Sequence, residues 1–431
     1  MFKNILFKMI SELRETPIFK SILVLVSGTG IAQLLPLISA PIVARLYSPV
    51  DFGTYAIFYS LVTIFIGLAS LEYSHVIIVA NNNESAILGL VLASIVTFIF
   101  TLFLFILFLL LPDGLLIKLF GKEILPFLWV IPVTVFFSSI NYLFYTWFLR
   151  IGKFKLLSIN KIILSVCAVV IQISIGFLYL GAKGFIFANL TSILISSILL
   201  ASKFKLSIGF MQIKMSFNSL KCIAYQYRKF PLVSVWGNTL NIITLQIPQF
   251  FLNKIFDARV LGHYALAQRI ISLPLGFVSS AIQDAFIQSA SKENNENGNC
   301  IKSYKNTLKI SSLVSFILLI SCLTFIAPLF VLVFGSKWAD SGIYVRVLSL
   351  LFAVRFVVGP LSYTFYIKSK QHIDFLWQVG LFTFTMITLH GGYYWIGIED
   401  PIYLLLFYAI CLSFWYLINF WITYNMAKTK N

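Results

Sequence analysis

The sequence predicts an all-α polytopic membrane protein of about twelve spanning helices, and three observations carry that reading. Of 431 residues, 59% are hydrophobic and only 11% charged, less than half the charge density of a soluble domain, which is roughly a quarter. Mean hydropathy is +0.93, more apolar surface than a water-soluble core can absorb, since such cores stop growing at roughly 250–300 residues. Apolar runs of about 20 residues, the length that crosses a bilayer, consume the chain from end to end. The same composition excludes a disordered chain, a secreted disulfide scaffold and a soluble nucleotide-binding enzyme.

The spans follow in order. Span 1, near 20–44, carries Pro36 and Pro41 and is expected to stay in the membrane. It is too long for a cleavable leader, lacks an A-x-A-like exit and runs into Arg45. Span 2, near 53–79, includes Glu72 and stops at Asn81-Asn82-Asn83-Glu84. Spans 3 to 6 fall near 86–111, 125–149, 156–180 and 183–202. Lys203 to Lys229, the longest hydrophilic stretch, is too short for a folded domain. Span 7, near 231–255, contains Pro248, and span 8, near 260–289, contains Pro274. The run Lys292-Glu293-Asn294-Asn295-Glu296-Asn297-Gly298 reads as a break. Spans 9 to 12 fall near 310–334, 342–367 (with Pro360), 373–397 and 402–424. Prolines remove an i to i−4 bond and bend helices, as they do in mobile and inert membrane helices alike.

The junctions repeat. After span 1 the chain reads Arg45-Leu46-Tyr47-Ser48-Pro49-Val50-Asp51-Phe52-Gly53-Thr54-Tyr55-Ala56. After span 7 it reads Lys254-Ile255-Phe256-Asp257-Ala258-Arg259-Val260-Leu261-Gly262-His263-Tyr264-Ala265, so Gly-x-Tyr-Ala follows a cation by eight residues in both. Two six-span lobes of like orientation, 1–205 and 206–431, are expected from this, a layout of transporters with a substrate path between lobes.

Charge gives the orientation. Lys plus Arg total 32 against 15 Asp plus Glu, a formal +17. Twenty-one of the basic residues fall on connections that share a side with the N-terminus, so both termini are expected inside. Seven lie at outer ends, including Arg45 and Lys254, where snorkelling competes with a role in binding. Lys161, Arg269, Arg346 and Arg355 fall within spans, and Arg269 and Arg355 lie near mid-depth. A cation there costs about 2.5–3.5 kcal/mol and tends to face a cavity or a partner. An intrabundle ion pair and a cavity-lining guanidinium are both consistent with the pattern. Guanidinium suits a diphosphate because its planar fork donates two parallel hydrogen bonds to phosphate oxygens and stays charged. Two acids, Glu72 and Asp284, also fall within spans, as gating or coupling residues or as structural ion-pair partners.

Several chemistries have no residues to support them. The five cysteines and four histidines show no metal-ligand spacing. No GxxxxGK[ST] loop occurs, and basic residues are dispersed rather than gathered into a nucleic-acid face. No long outer loop with paired acids exists to serve a glycosyltransferase or polymerase. No catalytic residue, cofactor or metal is therefore expected.

The residues that carry these features also carry a resemblance. Arg45-Leu46-Tyr47-Ser48-Pro49-x-Asp51-Phe52-Gly53-x-Tyr55 resembles the opening of bacterial polysaccharide-biosynthesis flippases, the O-antigen and capsule repeat-unit translocases of the MOP superfamily. Tyr227-Arg228-Lys229-Phe230-Pro231, Gly262-x-Tyr264-Ala265-x-x-x-Arg269-x-x-x-x-Pro274 and Arg355-x-x-x-x-Pro360-Leu361-Ser362 are similar to that family too, in order along nearly the full chain. The family's second span often reads Arg-Tyr-Glu, where this chain has Leu71-Glu72-Tyr73. The resemblance implies a MATE-like pair of six-helix lobes around a cationic cavity in the bacterial inner membrane. It implies a lipid-linked oligosaccharide of the undecaprenyl diphosphate type as cargo, with other polysaccharide-assembly membrane proteins as companions. Arg269, Arg355, Arg45 and Lys254 would then bind the cargo, and Glu72 and Asp284 would gate or couple. A multidrug or cation-coupled exporter of the same superfamily is the competing expectation, and it predicts acids rather than arginines in the cavity.

Overall fold

A computed structural model describes residues 17–208 and 216–429, with side chains described throughout except at 17–26 and 205–208. Among the orienting cations, Lys3, Lys8, Arg14, Lys214 and Lys430 lie outside the described residues. Those described form helices and connections, and no strand is present among them. In chain order the helices are α1 (Pro17–Leu46), α2 (Pro49–Ala69), α3 (Val76–Val79), α4 (Asn83–Leu110), α5 (Asp113–Phe120) and α6 (Val130–Arg150). Then come α7 (Phe154–Gly176), α8 (Lys183–Ile208), α9 (Phe217–Gln226), α10 (Val235–Ile255), α11 (Ala258–Asn297) and α12 (Ile301–Thr324). The last are α13 (Ile326–Phe334), α14 (Ala339–Leu361), α15 (Thr364–Ile367), α16 (Gln371–Tyr394) and α17 (Pro401–Lys428). Each of the twelve expected spans has a helical counterpart. Among the described residues ten segments are long and apolar enough to cross a membrane. The two that fall short are α10, which carries Asn238, Asn241, Gln246, Gln249 and Asn253, and α16, which carries Gln371, His372, Asp374, Gln378 and His390.

Two corrections concern span limits. Span 2 does not run to residue 79: α2 ends at Ala69, and Leu71 and Glu72 take left-handed φ of 47° and 62°, a conformation that stops a helix of L-residues. Conversely, the polar run after span 8 is no break. α11 continues to Asn297 and ends on Gly298, whose φ of 72° serves as its left-handed cap. The reason for the extra turns is Glu293, whose carboxylate accepts from Lys302 N (2.9 Å) and Ser303 N (2.7 Å) and so caps the first turn of α12.

The described chain divides into two compact units. The first comprises residues up to 46, 58–116 and 124–239. In it α1 packs on α7, α7 and α6 on α8, and α4 on α6. One hydroxyl ties three of these helices: Asn141 Nδ2 of α6 donates to Ser196 Oγ of α8 (2.8 Å), which donates to Asn160 Oδ1 of α7 (2.8 Å), all three residues buried. Polar bonding of this kind substitutes for the hydrophobic effect, which drives no helix association in lipid. At one end of the unit Val76, Ile77, Ala86, Ile87, Leu143, Trp147 and Leu157 form an apolar cluster. Arg150 pins it by donating to the carbonyls of Ile77 (2.9 Å) and Ile78 (3.1 Å) and to Asn83 Oδ1 (3.1 Å).

The second unit comprises 47–57, 117–123 and residues from 240 onward, with α14 packed against α11, α12 and α17. Its start contains the repeat. A Cβ on Gly53 would lie 1.8 Å from the carbonyl oxygen of Ala258, and one on Gly262 would lie 1.7 Å from that of Pro49. Residues 49 and 258, like 53 and 262, are separated by 209 positions, so each repeat's glycine meets the partner repeat's first helical turn. The shared Gly-x-Tyr-Ala motif is thus a reciprocal backbone contact. Phe52 packs edge-on against Trp338 (4.7 Å between centroids), and Lys337 Nζ donates to the Tyr47 carbonyl (2.9 Å) beside it. Elsewhere large apolar side chains such as Phe98, Ile99, Leu109, Leu313 and Phe316 are exposed, as expected of helices solvated by lipid rather than water.

Candidate functional site

Arg269 belongs to α11 and Arg355 to α14, two helices in contact within the second unit. Their relative register is legible from two points. Buried His263 Nδ1 lies 3.0 Å from Ser341 Oγ, and the Ser279 hydroxyl oxygen lies 3.9 Å from where a Gly359 Cβ would stand. The helices therefore run parallel, with Arg355 level with residues near 276 of α11. That places the two arginines about seven residues, roughly 10 Å, apart along the helices at 1.5 Å per residue. They occupy two successive levels rather than one.

Both guanidiniums belong to half-buried residues. Arg355 has the phenols of Tyr264, Tyr408 and Tyr416 in electrostatic range, from α11 and α17. Among the described residues no carboxylate lies within ion-pair distance of it. The ion-pair reading of this arginine therefore has no partner acid to stand on. A permanently charged donor with no carboxylate in ion-pair range is suited to receiving an anion from outside the protein.

The other predicted residues are placed differently. Arg45 and Lys254 are exposed in the last turns of α1 and α10, where a cation complements the helix C-terminus. Asp284 is exposed on α11. Glu72 is buried in the left-handed turn after α2, with two partners that sequence reading missed. His75 Nε2 lies 2.6 Å from its Oε2, and Asn238 Nδ2 of α10 donates to its Oε1 at 2.6 Å. Burial pushes the Glu72 carboxyl up, but the hydrogen bonds from His75 and Asn238 and the charge of His75 outweigh it and hold it below the usual carboxylate range. The hydrogen bond to Glu72 in turn raises His75, against the opposing effect of its own burial. The signal for His75 was its i+3 spacing from Glu72; Asn238 is 166 residues away and left none.

Lys161, the remaining in-span cation of the first unit, is engaged locally. Its Nζ donates to Thr29 Oγ1 (3.0 Å) and stands 5.3 Å from the Tyr145 ring centroid. Lys368, counted as an inner-face charge, is buried and donates to the carbonyls of Gly298 (2.7 Å) and Thr429 (2.9 Å).

Against known proteins, a family model described as polysaccharide biosynthesis protein matches residues 42–342. The chain belongs to this polysaccharide biosynthesis protein family. The match opens three residues before Arg45 and takes in Arg269, Glu72, Lys254 and Asp284, while Arg355 lies beyond it. Within curated proteins, the Bacillus subtilis (strain 168) teichuronic acid biosynthesis protein TuaB is 25% identical over 142 residues. That alignment covers 33% of this chain and 29% of TuaB, so the chain matches less than a third of that relative's length. Two solved structures share the fold nearly throughout. A multidrug resistance MATE family transporter of the MOP superfamily, in an inward-facing conformation, superposes with a TM-score of 0.71 at 15% identity, covering 95% of this chain and 99% of that one. The lipid II flippase MurJ, in an inward closed conformation, gives 0.72 at 16% identity, covering 94% and 88%. The family member is accordingly a multi-pass membrane protein with a MATE-like fold.

Proposed function

We propose that the protein is a flippase that carries polyprenyl-diphosphate-linked oligosaccharide repeat units across the bacterial inner membrane by alternating access, without covalent chemistry. The observation that carries this reading is Arg355, a guanidinium in a membrane-spanning helix with phenols near it and, among the described residues, no carboxylate within ion-pair distance. Membership of a polysaccharide-biosynthesis family supports a glycan cargo, and the diphosphate is the part of such a cargo that an arginine recognises. Arg269 and Arg355, at two levels of parallel helices, would pass the diphosphate along the path while the polyprenyl tail stays in lipid. The expected lobes, 1–205 and 206–431, would rock about that path, with both termini on the side of the basic excess. Arg45 and Lys254, at helix ends, would attract the anionic headgroup, and Glu72 and Asp284 would act in gating. The multidrug-exporter reading asks for acids free to meet a cationic drug; Glu72 is occupied by His75 and Asn238, and Asp284, exposed on α11, is an in-span acid still open to that role.

The test is a proteoliposome assay with a fluorescent polyprenyl-diphosphate oligosaccharide. Arg269→Ala and Arg355→Ala are expected to cut flipping at least tenfold, the loss of about 1.4 kcal/mol or more of charge-assisted contact, while Arg355→Lys retains part of it. Full activity in both alanine variants would sink the arginine assignment.

A further inference from the structure

The short helix α9, in the first unit, carries an exposed surface of mixed cationic and aromatic side chains. Leu220, Ile223 and Ala224 turn toward the apolar cluster of the first unit. The other face is exposed: Phe217, Lys221 and Tyr225 follow at spacings of four, one stripe of an α-helix, and Arg228 continues from the turn just after it. Phe217 is 81% exposed and Tyr225 69%, so aromatic and cationic side chains alternate along a surface left open among the described residues. The Arg228 guanidinium stands 4.3 Å from the Tyr225 ring centroid. Asn218, Lys221, Cys222, Ala224, Tyr225 and Arg228 line a hollow of about 580 Å³ there. Beyond the helix the same exposed character continues through Leu232, Val233 and Trp236 (63% exposed). Charge complementarity is one-sided: no Asp or Glu occurs anywhere between Glu123 and Asp257.

We propose that the exposed face of α9 is a binding site for acidic phospholipid headgroups, which holds this helix flat on the bilayer surface. Lys221 and Arg228 would meet the headgroup phosphate, with Asn218 as a neutral donor. Phe217, Tyr225 and Trp236 would enter the headgroup–acyl boundary, the position that amphipathic aromatic side chains favour. The proposal depends on the inward orientation given above only for which leaflet is met, and its test measures binding without transport, so the two stand or fall separately.

Full-length protein in detergent, titrated with phosphatidylglycerol or phosphatidylcholine and followed by native mass spectrometry, provides that test. Phosphatidylglycerol is expected to bind on the order of 25-fold more tightly than phosphatidylcholine, and Lys221→Gln/Arg228→Gln to remove that preference, since each surface cation contributes on the order of fivefold. Lys302→Gln/Lys305→Gln, two other exposed lysines, should retain it. Unchanged melting of the α9 double variant would separate loss of binding from loss of folding. Equal binding of both lipids, or wild-type phosphatidylglycerol binding by the α9 variant, would overturn the proposal. So would displacement of phosphatidylglycerol by millimolar inorganic phosphate, or a preference of these residues for farnesyl diphosphate, which would make α9 a cargo site.

Discussion

Glu72 is held by two donors, His75 from its own turn and Asn238 from α10, and this arrangement has a pH signature. A carboxyl held below its usual range adds stability above that range and loses it as acid protonates the native state. An imidazole held above its usual range adds stability that is complete below about pH 6.5 and is lost as pH rises through its raised value. The pair therefore stabilises most between about pH 5 and 6.5. Thermal melting across pH should show the largest gap between wild type and Glu72→Gln in that window, shrinking above neutrality; a gap that is flat with pH would contradict it. The acid was legible in the sequence as a charge in an apolar run. Its role was not, because Asn238 reaches it only through the fold and because the turn that buries it required left-handed Leu71 and Glu72, residues with no glycine to announce the change. The offset of Arg269 and Arg355 was hidden for the same reason: depth within each helix could be counted, but register between helices is set by pairs such as His263 and Ser341.

Among the helices, the repeat glycines are the most constrained positions. Gly53 and Gly262 each bring backbone against backbone, so a side chain at either must push α2 and α11 apart. Gly53→Val or Gly262→Val should lower folded yield and cost about 1–3 kcal/mol of stability. Gly276, on the same α11 with no heavy atom within 4 Å of a would-be Cβ, is the control; Gly276→Ala should be neutral or stabilise by up to about 1 kcal/mol. Equal melting temperatures for all of these variants would remove the crossing from the account. The three-helix tie at Ser196 makes a parallel case. Ser196→Ala strands the Asn141 amide and the Asn160 carbonyl in a buried site, at a cost of about 1–2 kcal/mol by denaturant or thermal unfolding in detergent. Apolar runs of about twenty residues announced all twelve spans. α11 outran its apolar run, with Glu293 finding its partners on α12, and α10 is the span in which amides most dilute the apolar run.

For the whole molecule, the chain's charge divides into parts with different work. Much of the +17 is orientation bias, yet some cations counted that way are structural, since Arg150 and Lys368 spend their protons on backbone carbonyls. Others, Lys221 and Arg228, gather beside aromatics on α9. Among the described residues Arg355 has no carboxylate within ion-pair distance, and the flippase reading turns on what such a cation meets. The most direct measurement uses wild-type protein in proteoliposomes, offered in parallel a fluorescent polyprenyl-diphosphate oligosaccharide and a cationic dye. The account predicts protein-dependent translocation of the lipid-linked glycan and none of the dye. Transport of the dye with no movement of the glycan would contradict it.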